Sequence, residues 1–514
     1  MSSKRKLRES CPACVRSGRV CDGLVPECMY YRRSAPLNPT RPRQIRNKEE
    51  EMYLEEHIRE LEQRLETLSS ASSTPRASPN IPSRPISSSP RAQDSIPNVF
   101  RGRPQDMTGE WWKPALLRRP IQDYLVQIFL AYAGQHHIQV DGPGLLRALQ
   151  SFDPAEQPHP ALLDSIYLFA CSCTDSLPLA SPLSLVRLED HFLTRARKDM
   201  NDSLAFADRL LDYLKASNII AAYLLRRGRH LEGYHHHSGA ARLAMACGLH
   251  HIYSPTFPPH VQEPLPASTE AVALLRPPSS QMQVADRIFT FWNTFVQDQI
   301  YAIVHGFAPA LDERLEDIRT PLPRPLVEYE QNDIRLQDID YLYKVFQSTQ
   351  RQPNRAESAF ASFIKSLALL HSARVGLANR VDDLASIIAT TQSFRRFLTG
   401  MTDSVTDGTN LMDRFLYSAI VCTQTALLQL FRATGPSGAT ELVNIASSLA
   451  DTVRSPYNEQ LARGSQLIMH CLKFTQAVLE QHRQQLVGNR SGVGSRLPDV
   501  EERISMLSRV TTPD

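Results

Sequence analysis

Cys11, Cys14, Cys21 and Cys28 stand in the spacing C-x2-C-x6-C-x6-C. Thiolates are the soft ligands that Zn2+ takes, and four is the number a closed structural site uses. A C-x2-C pair grips one metal from a single turn. Pro26 helps reverse the chain so that Cys28 can return to that pair. A segment this short buries no useful core, so metal binding would supply most of its folding free energy. The bland alternative is a disordered arm with chance cysteines. The other five cysteines, Cys171, Cys173, Cys247, Cys422 and Cys471, lie in apolar helical contexts and are expected to be buried, inert thiols.

The cysteines sit in a strongly basic segment. Before Glu49 there are twelve Lys and Arg against Glu9, Asp22 and Glu27, about +9, whereas the whole chain of 514 residues carries +3. The remainder is therefore about −6. A basic arm on a mildly acidic body is a layout of nucleic-acid binders. Arg16 and Arg19 are three apart and share one face of a helical turn. Arginine reads guanine edges bidentately and also serves as a plain phosphate contact. Lys4, Arg5, Lys6 and Arg8 before the cysteines, and Arg32, Arg33, Arg41, Arg43, Arg46 and Lys48 after them, are expected on phosphates. The same run reads as a nuclear-import signal. No apolar run reaches the length of a membrane span, and the start has no secretory h-region, so an intracellular, nuclear protein with no membrane partner is expected.

Cys11-Pro-Ala-Cys14, Cys21-Asp-Gly23 and Pro26-Glu-Cys28 resemble the binuclear zinc cluster of fungal transcription factors. That family holds two zinc ions with six cysteines and reads the major groove with a short helix after the second cysteine. The resemblance implies double-stranded DNA as a partner, and biosynthetic or nutrient-use genes as targets. This chain keeps the first four cysteines but has Tyr31 and Asn38 near the places of the last two. Because the family's first and fourth cysteines bridge both metals, the first four alone make a complete set for one ion. One Zn2+ per chain is thus expected rather than two. The family's base-reading Lys position holds Gly18, which implies altered or weakened base specificity.

The elements around this module follow from composition. Residues 1–33 form the zinc-cluster-like unit. Residues 34–48, with Pro36, Pro39 and Pro42, read as an extended basic linker. Residues 49–69 lack Gly and Pro. With Ile58 and Leu65 at a, Leu54, Leu61 and Leu68 fall at d, the combination that favours a parallel two-stranded coil and hence a homodimer. The alternative is a lone amphipathic helix packed on the body. Residues 70–100 read as a disordered Ser/Pro linker, because Ser69–Pro97 holds ten Ser and six Pro.

From about Pro120 to His482 the apolar period is helical almost everywhere, and the fold class expected is all-α, packed as a bundle or superhelix. The expected helices include Tyr124–Ala133, Pro160–Cys171, Phe206–Arg227, Gly239–Cys247, Val284–His305, Glu357–Ala378, Asp382–Leu398, Leu411–Ala433 and Ser465–Gln481. The helix from Val284 places Ile288, Phe291, Trp292, Phe295 and Gln299 on one face, and Gly248 reads as a C-terminal cap. His159–Leu163, Gly239–His251, Asp286–Asp298 and the stretch from His305 to Pro323 resemble the middle homology region of the same fungal family. There the resemblance implies a regulatory body that meets transcriptional co-regulators. The units expected are a middle homology region over 110–330, a further helical regulatory region over 331–486 and a polar tail over 487–514.

His235-His236-His237 invites a metal reading, but consecutive helical residues point about 100° apart and cannot converge on one ion. A partly packed helix face is expected instead. No G-x-S-x-G elbow, P-loop, G-x-G-x-x-G after a strand or H-E-x-x-H is present, and no catalytic residue is expected. Two alternatives stay open. One is a regulator that has lost direct DNA binding and acts through a partner factor, which Gly18, Tyr31 and Asn38 keep in play. The other is a helical enzyme without a recognisable motif.

Overall fold

The computed structural model describes residues 117–173, 182–257, 274–311, 317–347, 357–379, 384–405, 413–488 and 497–512. The four N-terminal cysteines, the basic arm, the coil residues Leu54 to Leu68 and the Ser/Pro linker lie outside the described residues. Those described are all-α, with helices joined by short turns and no strand among them.

Proline and side-chain caps start many of the helices. Pro120 opens α1 (Arg119–Tyr132), which buries Ile121, Leu125, Val126, Ile128 and Phe129. Asp141 caps α2 (Gly142–Gln150) by accepting from the Gly144 amide at 2.8 Å. His159 caps α3 (Pro160–Ser172) through Nδ1, which accepts from the Ala161 amide. Almost every side chain of α3 is buried, most of them apolar, so it runs inside the protein against α1, α4 (Pro182–Phe206) and α5 (Leu210–Arg226). The helix expected over Phe206–Arg227 is shifted at its start. Ala207 (φ 51) and Arg209 (φ 44) occupy the left-handed region, and this breaks the chain between α4 and α5.

After α6 (His230–Ala246), Gly248 adopts φ 72 and ends the helix as expected. The longest central element is α7 (Gln281–His305), 25 residues or about 37 Å. Ser280 caps it, Gly306 at φ 71 stops it, and nearly every side chain from Thr290 to Ile303 is buried. The short α8 (Leu326–Glu330) and α9 (Lys344–Gln347) lead to α10 (Ala359–Asn379) and α11 (Leu384–Val405). Asp413 caps α12 (Arg414–Ala433), which packs closely on α10. The chain closes with α13 (Ala439–Asp451), α14 (Pro456–Gly464), α15 (Gln466–Gly488) and α16 (Leu497–Thr511).

The expectation of a polar tail over 487–514 is therefore corrected. α16 buries Val500, Leu507 and Val510, whose spacings of seven and three make one apolar stripe against α15. The many charged residues on its other face mask that stripe in the sequence.

Two apolar cores result. One gathers α1, α3 and α4; the other gathers α6, α7, α10, α12, α13, α15 and α16 and runs without a break across residue 330. α5 serves both. Leu214, Ala221 and Leu225 face the larger core, while Ala216, Ile219, Ile220 and Tyr223 face the smaller. Gly233 on α6 leaves room for the side chain of Tyr301 on α7. A Cβ there would strike the Tyr301 hydroxyl, which donates to the Ala221 carbonyl at 2.8 Å.

Candidate functional site

A cavity of about 640 Å³ lies between the α1–α2 connection, the 151–158 loop and the N-terminal halves of α5 and α7. Its floor is apolar and deep, with Phe129, Ile166 and Ile219 all buried. Half-buried Leu145, Met282 and Phe289 form the walls. Helical spacing delivers these side chains together. Leu211, Lys215 and Asn218 share one face of α5, and Met282, Asp286, Phe289 and Asn293 share one face of α7.

The rim is tied down by hydrogen bonds. Arg209 Nη1 donates to the carbonyls of Pro154 and Gln157, at 3.3 and 3.1 Å, and so holds the 151–158 loop to the start of α5. Asp212 accepts from the His159 amide at 2.9 Å. The side-chain amide of Asn293 bonds the backbone of Gln139, accepting from its N–H at 2.9 Å and donating to its carbonyl at 2.8 Å.

The three cations on the wall are each paired with a carboxylate. Lys215 Nζ lies 2.7 Å from Asp286 and 3.6 Å from Asp212. Burial pulls its ammonium pKa down, but the two carboxylates outweigh that and raise it. Arg209 pairs with Asp208 at 2.8 Å, Glu156 accepts from the Ser151 hydroxyl at 2.8 Å, and Arg147 faces Glu330 at 3.9 Å.

Deeper in the fold, α7 organises the segment that follows it. Trp292, wholly buried, meets Phe291 and Phe295 edge-on and donates from Nε1 to the Pro321 carbonyl at 2.7 Å. The buried carboxylate of Asp298 accepts from the amides of Ala310 and Leu311, at 3.0 and 2.9 Å. The His250 carbonyl accepts from Arg319 and Thr320, and His251 Nε2 lies 3.0 Å from the Asp317 carbonyl. These two histidines thus clamp the returning segment.

The geometry explains the sequence pattern in this region. Of the residues between Asp286 and Pro323 that carry the resemblance, Trp292, Asp298, Ala310 and Pro321 bond the post-helix segment onto α7, while Asp286 and Asn293 bond Lys215 and Gln139. The family model described as fungal specific transcription factor domain matches residues 132–406, more than half of the chain. The chain belongs to that family. No curated protein and no solved structure matches it. The family match runs well past Pro323, where the resemblance visible in the residues stops, and takes in α10 and α11.

Within this fungal transcription factor, the other candidate residues can be placed one by one. His235 is exposed, His236 is half-buried with Nδ1 3.1 Å from the Ser217 hydroxyl, and His237 is enclosed between α6 and α7, its Nε2 3.9 Å from Asp298 Oδ1. The triplet thus fans out in three directions. Cys171, Cys173, Cys422 and Cys471 are buried and Cys247 is half-buried. Burial holds the Cys171 thiol well above its ordinary pKa, which disfavours the reactive thiolate. Among the described residues no group of three or more His, Cys, Asp or Glu is arranged to hold a metal, and no helix is long and apolar enough to cross a membrane. The cavity has no counterpart among the sequence motifs. Its residues come from five separate segments, and none of these forms a motif alone.

Proposed function

We propose that this chain is a nuclear, sequence-specific DNA-binding regulator of transcription by RNA polymerase II, of the zinc-cluster type. The observation that carries the reading is a conjunction in one chain. The family's helical domain at 132–406 follows a cysteine quartet set in a segment of about +9. A transcription-factor domain favours a regulator over an enzyme. Cys11, Cys14, Cys21 and Cys28 are four thiolates, a donor set that fits one tetrahedral Zn2+, and the ion would supply the fold of the head. Arg16 and Arg19 face the DNA; Lys4, Arg5, Lys6, Arg8, Arg32 and Arg33 grip phosphate. Leu54, Ile58, Leu61, Leu65 and Leu68 pair two chains in parallel, so that two heads meet paired half-sites. The helical body then gates or recruits co-regulators.

The test is selection of bound duplexes from a random pool by the purified full chain, followed by electrophoretic shift with and without a zinc chelator. A recovered, zinc-dependent site supports the reading, and a C21A variant should not shift it. Uniform, weak binding to all duplexes, or none, favours the second reading, a regulatory partner that does not itself select DNA. Gly18, Tyr31 and Asn38 are the specific residues in its favour.

A further inference from the structure

We propose that Asp164 is a proton-operated clasp: the seam between α3 and α4 is held tightly while its carboxyl carries a proton, and loosens when the carboxyl ionises. Asp164 lies on α3 and is 2% exposed. Its neighbours along the helix, Ala161, Leu162, Ile166 and Leu168, are buried and apolar. An ionised carboxylate in such a place is costly unless it is both paired and hydrogen-bonded.

The pairing it has is weak. Among the described residues, the cation beside it is Arg195 on α4, whose Nε lies 3.1 Å from Asp164 Oδ2. That oxygen is nevertheless buried without a hydrogen bond. The Arg195 side chain is 53% exposed, so water screens its charge.

The other charged and titratable groups of the packed helices do not help the anion. On α4, Asp199 adds a second negative charge, and His191 sits beside Arg195. On α1, Arg119 is paired with Asp123 at 3.1 Å. Tyr167, on α3 itself, keeps its phenol proton, being pushed up to about 12 by burial. The groups of α5 are engaged elsewhere. Asp212 accepts from the His159 amide, Lys215 pairs with Asp286, Arg226 faces His136, Arg227 and Tyr223 bond Glu189, and Tyr213 bonds Ser217. Burial therefore outweighs Arg195 and pushes the carboxyl up to about 7.

Opening of the seam returns Asp164 to water and to its ordinary value of 3.8. Between 3.8 and 7 the closed seam keeps a proton that the open one gives up. Opening thus becomes more frequent as the pH rises, by at most about tenfold per unit, and levels off above 7. Proton uptake frees Arg195 for Asp199, one turn further along α4.

The test is hydrogen exchange of the purified full chain, read by mass spectrometry on peptides of α4 and corrected for the intrinsic pH dependence of amide exchange. From pH 5.5 to 7.5 the opening constant of α4 should rise by about tenfold or more relative to Asp164→Asn, whose amide cannot ionise. That comparison cancels the titration of His159 and His191, which both chains share. A ratio that stays constant over the range would overturn the proposal. Arg195→Gln, at an exposed position, serves should the first variant misfold. Withdrawing the cation raises the proton affinity of Asp164, so the rise should continue past pH 7.5. An Arg195→Gln profile superimposed on that of the wild type would equally overturn it. Neither outcome depends on whether the chain selects DNA.

Discussion

Asn293 and Gln139, 154 positions apart, are joined as if they were neighbouring strands: one side-chain amide satisfies both backbone groups of the other residue. The α1–α2 connection is thereby pinned to the middle of α7. Asn293→Ala would leave the N–H and C=O of Gln139 to find other partners, at about 1–3 kcal/mol for each group left unsatisfied. Asn293→Asp keeps the acceptor and loses the donor. Urea denaturation should rank the three chains wild type, then Asp, then Ala; an Ala variant equal to wild type would show that the pair contributes nothing.

The contact of Gly233 with Tyr301 makes a second test. Gly233→Ala inserts a methyl where the buried Tyr301 hydroxyl sits, and such overpacking costs about 1–3 kcal/mol. Tyr301→Phe removes the atom struck and leaves the Ala221 carbonyl without that donor. The double variant should be more stable than the sum of the singles predicts, by about 0.5–3 kcal/mol. Strict additivity in a denaturation cycle would place the cost elsewhere.

Stability should fall on mild acidification. Burial holds the imidazoles of His137 and His237 down at about 3, against an ordinary value of 6.5. Between those values the unfolded chain takes up protons that the native one refuses, so stability is complete above about 6.5 and is lost as the pH drops toward 3. Asp164 opposes this. Burial pushes its carboxyl up to about 7, with Arg195 pulling the other way, so the native state gains a proton first and is favoured as pH falls from 7 toward 3.8. Burial lowers His136 to about 3 and His236 and His305 to about 4 as well, so the histidines outnumber the one carboxyl and the net change is a loss of stability. Urea midpoints at pH 7 and pH 5 measure it, and a midpoint that rises toward pH 5 would contradict it.

For the head of the chain, metal analysis of the purified protein should find about one zinc per chain. Two would mean that residues other than the four cysteines complete a second site. Leu54→Glu with Leu61→Glu should turn dimers into monomers in solution-mass measurements; an unchanged mass would refute the coil.

Arg16→Ala should weaken the preferred duplex by about 1–3 kcal/mol if the guanidinium reads a base. An equal loss on every sequence would make Arg16 a phosphate contact.

What is legible in the sequence follows from local periodicity. The face of α7 built from Ile288, Phe291, Trp292 and Phe295 can be read because apolar residues recur at helical spacing, and all four are wholly buried. Gly248 can be read as a cap because a left-handed residue commonly follows a helix that stops cleanly. The break at Ala207–Arg209 cannot, since neither residue type announces a positive φ. The helix Leu497–Thr511 hides its stripe among charges. The Asn218–Thr294–Thr290 relay joins two helices distant in sequence, and only the packed fold brings them into register.

The double burial of α5 ties the fate of the two cores together. A helix that fills both sides cannot leave one without baring apolar surface to water on the other. Heat or denaturant should therefore melt both in a single sigmoidal step. A truncation meant to isolate the first hundred described residues, or to discard them, would give an aggregating fragment in either direction.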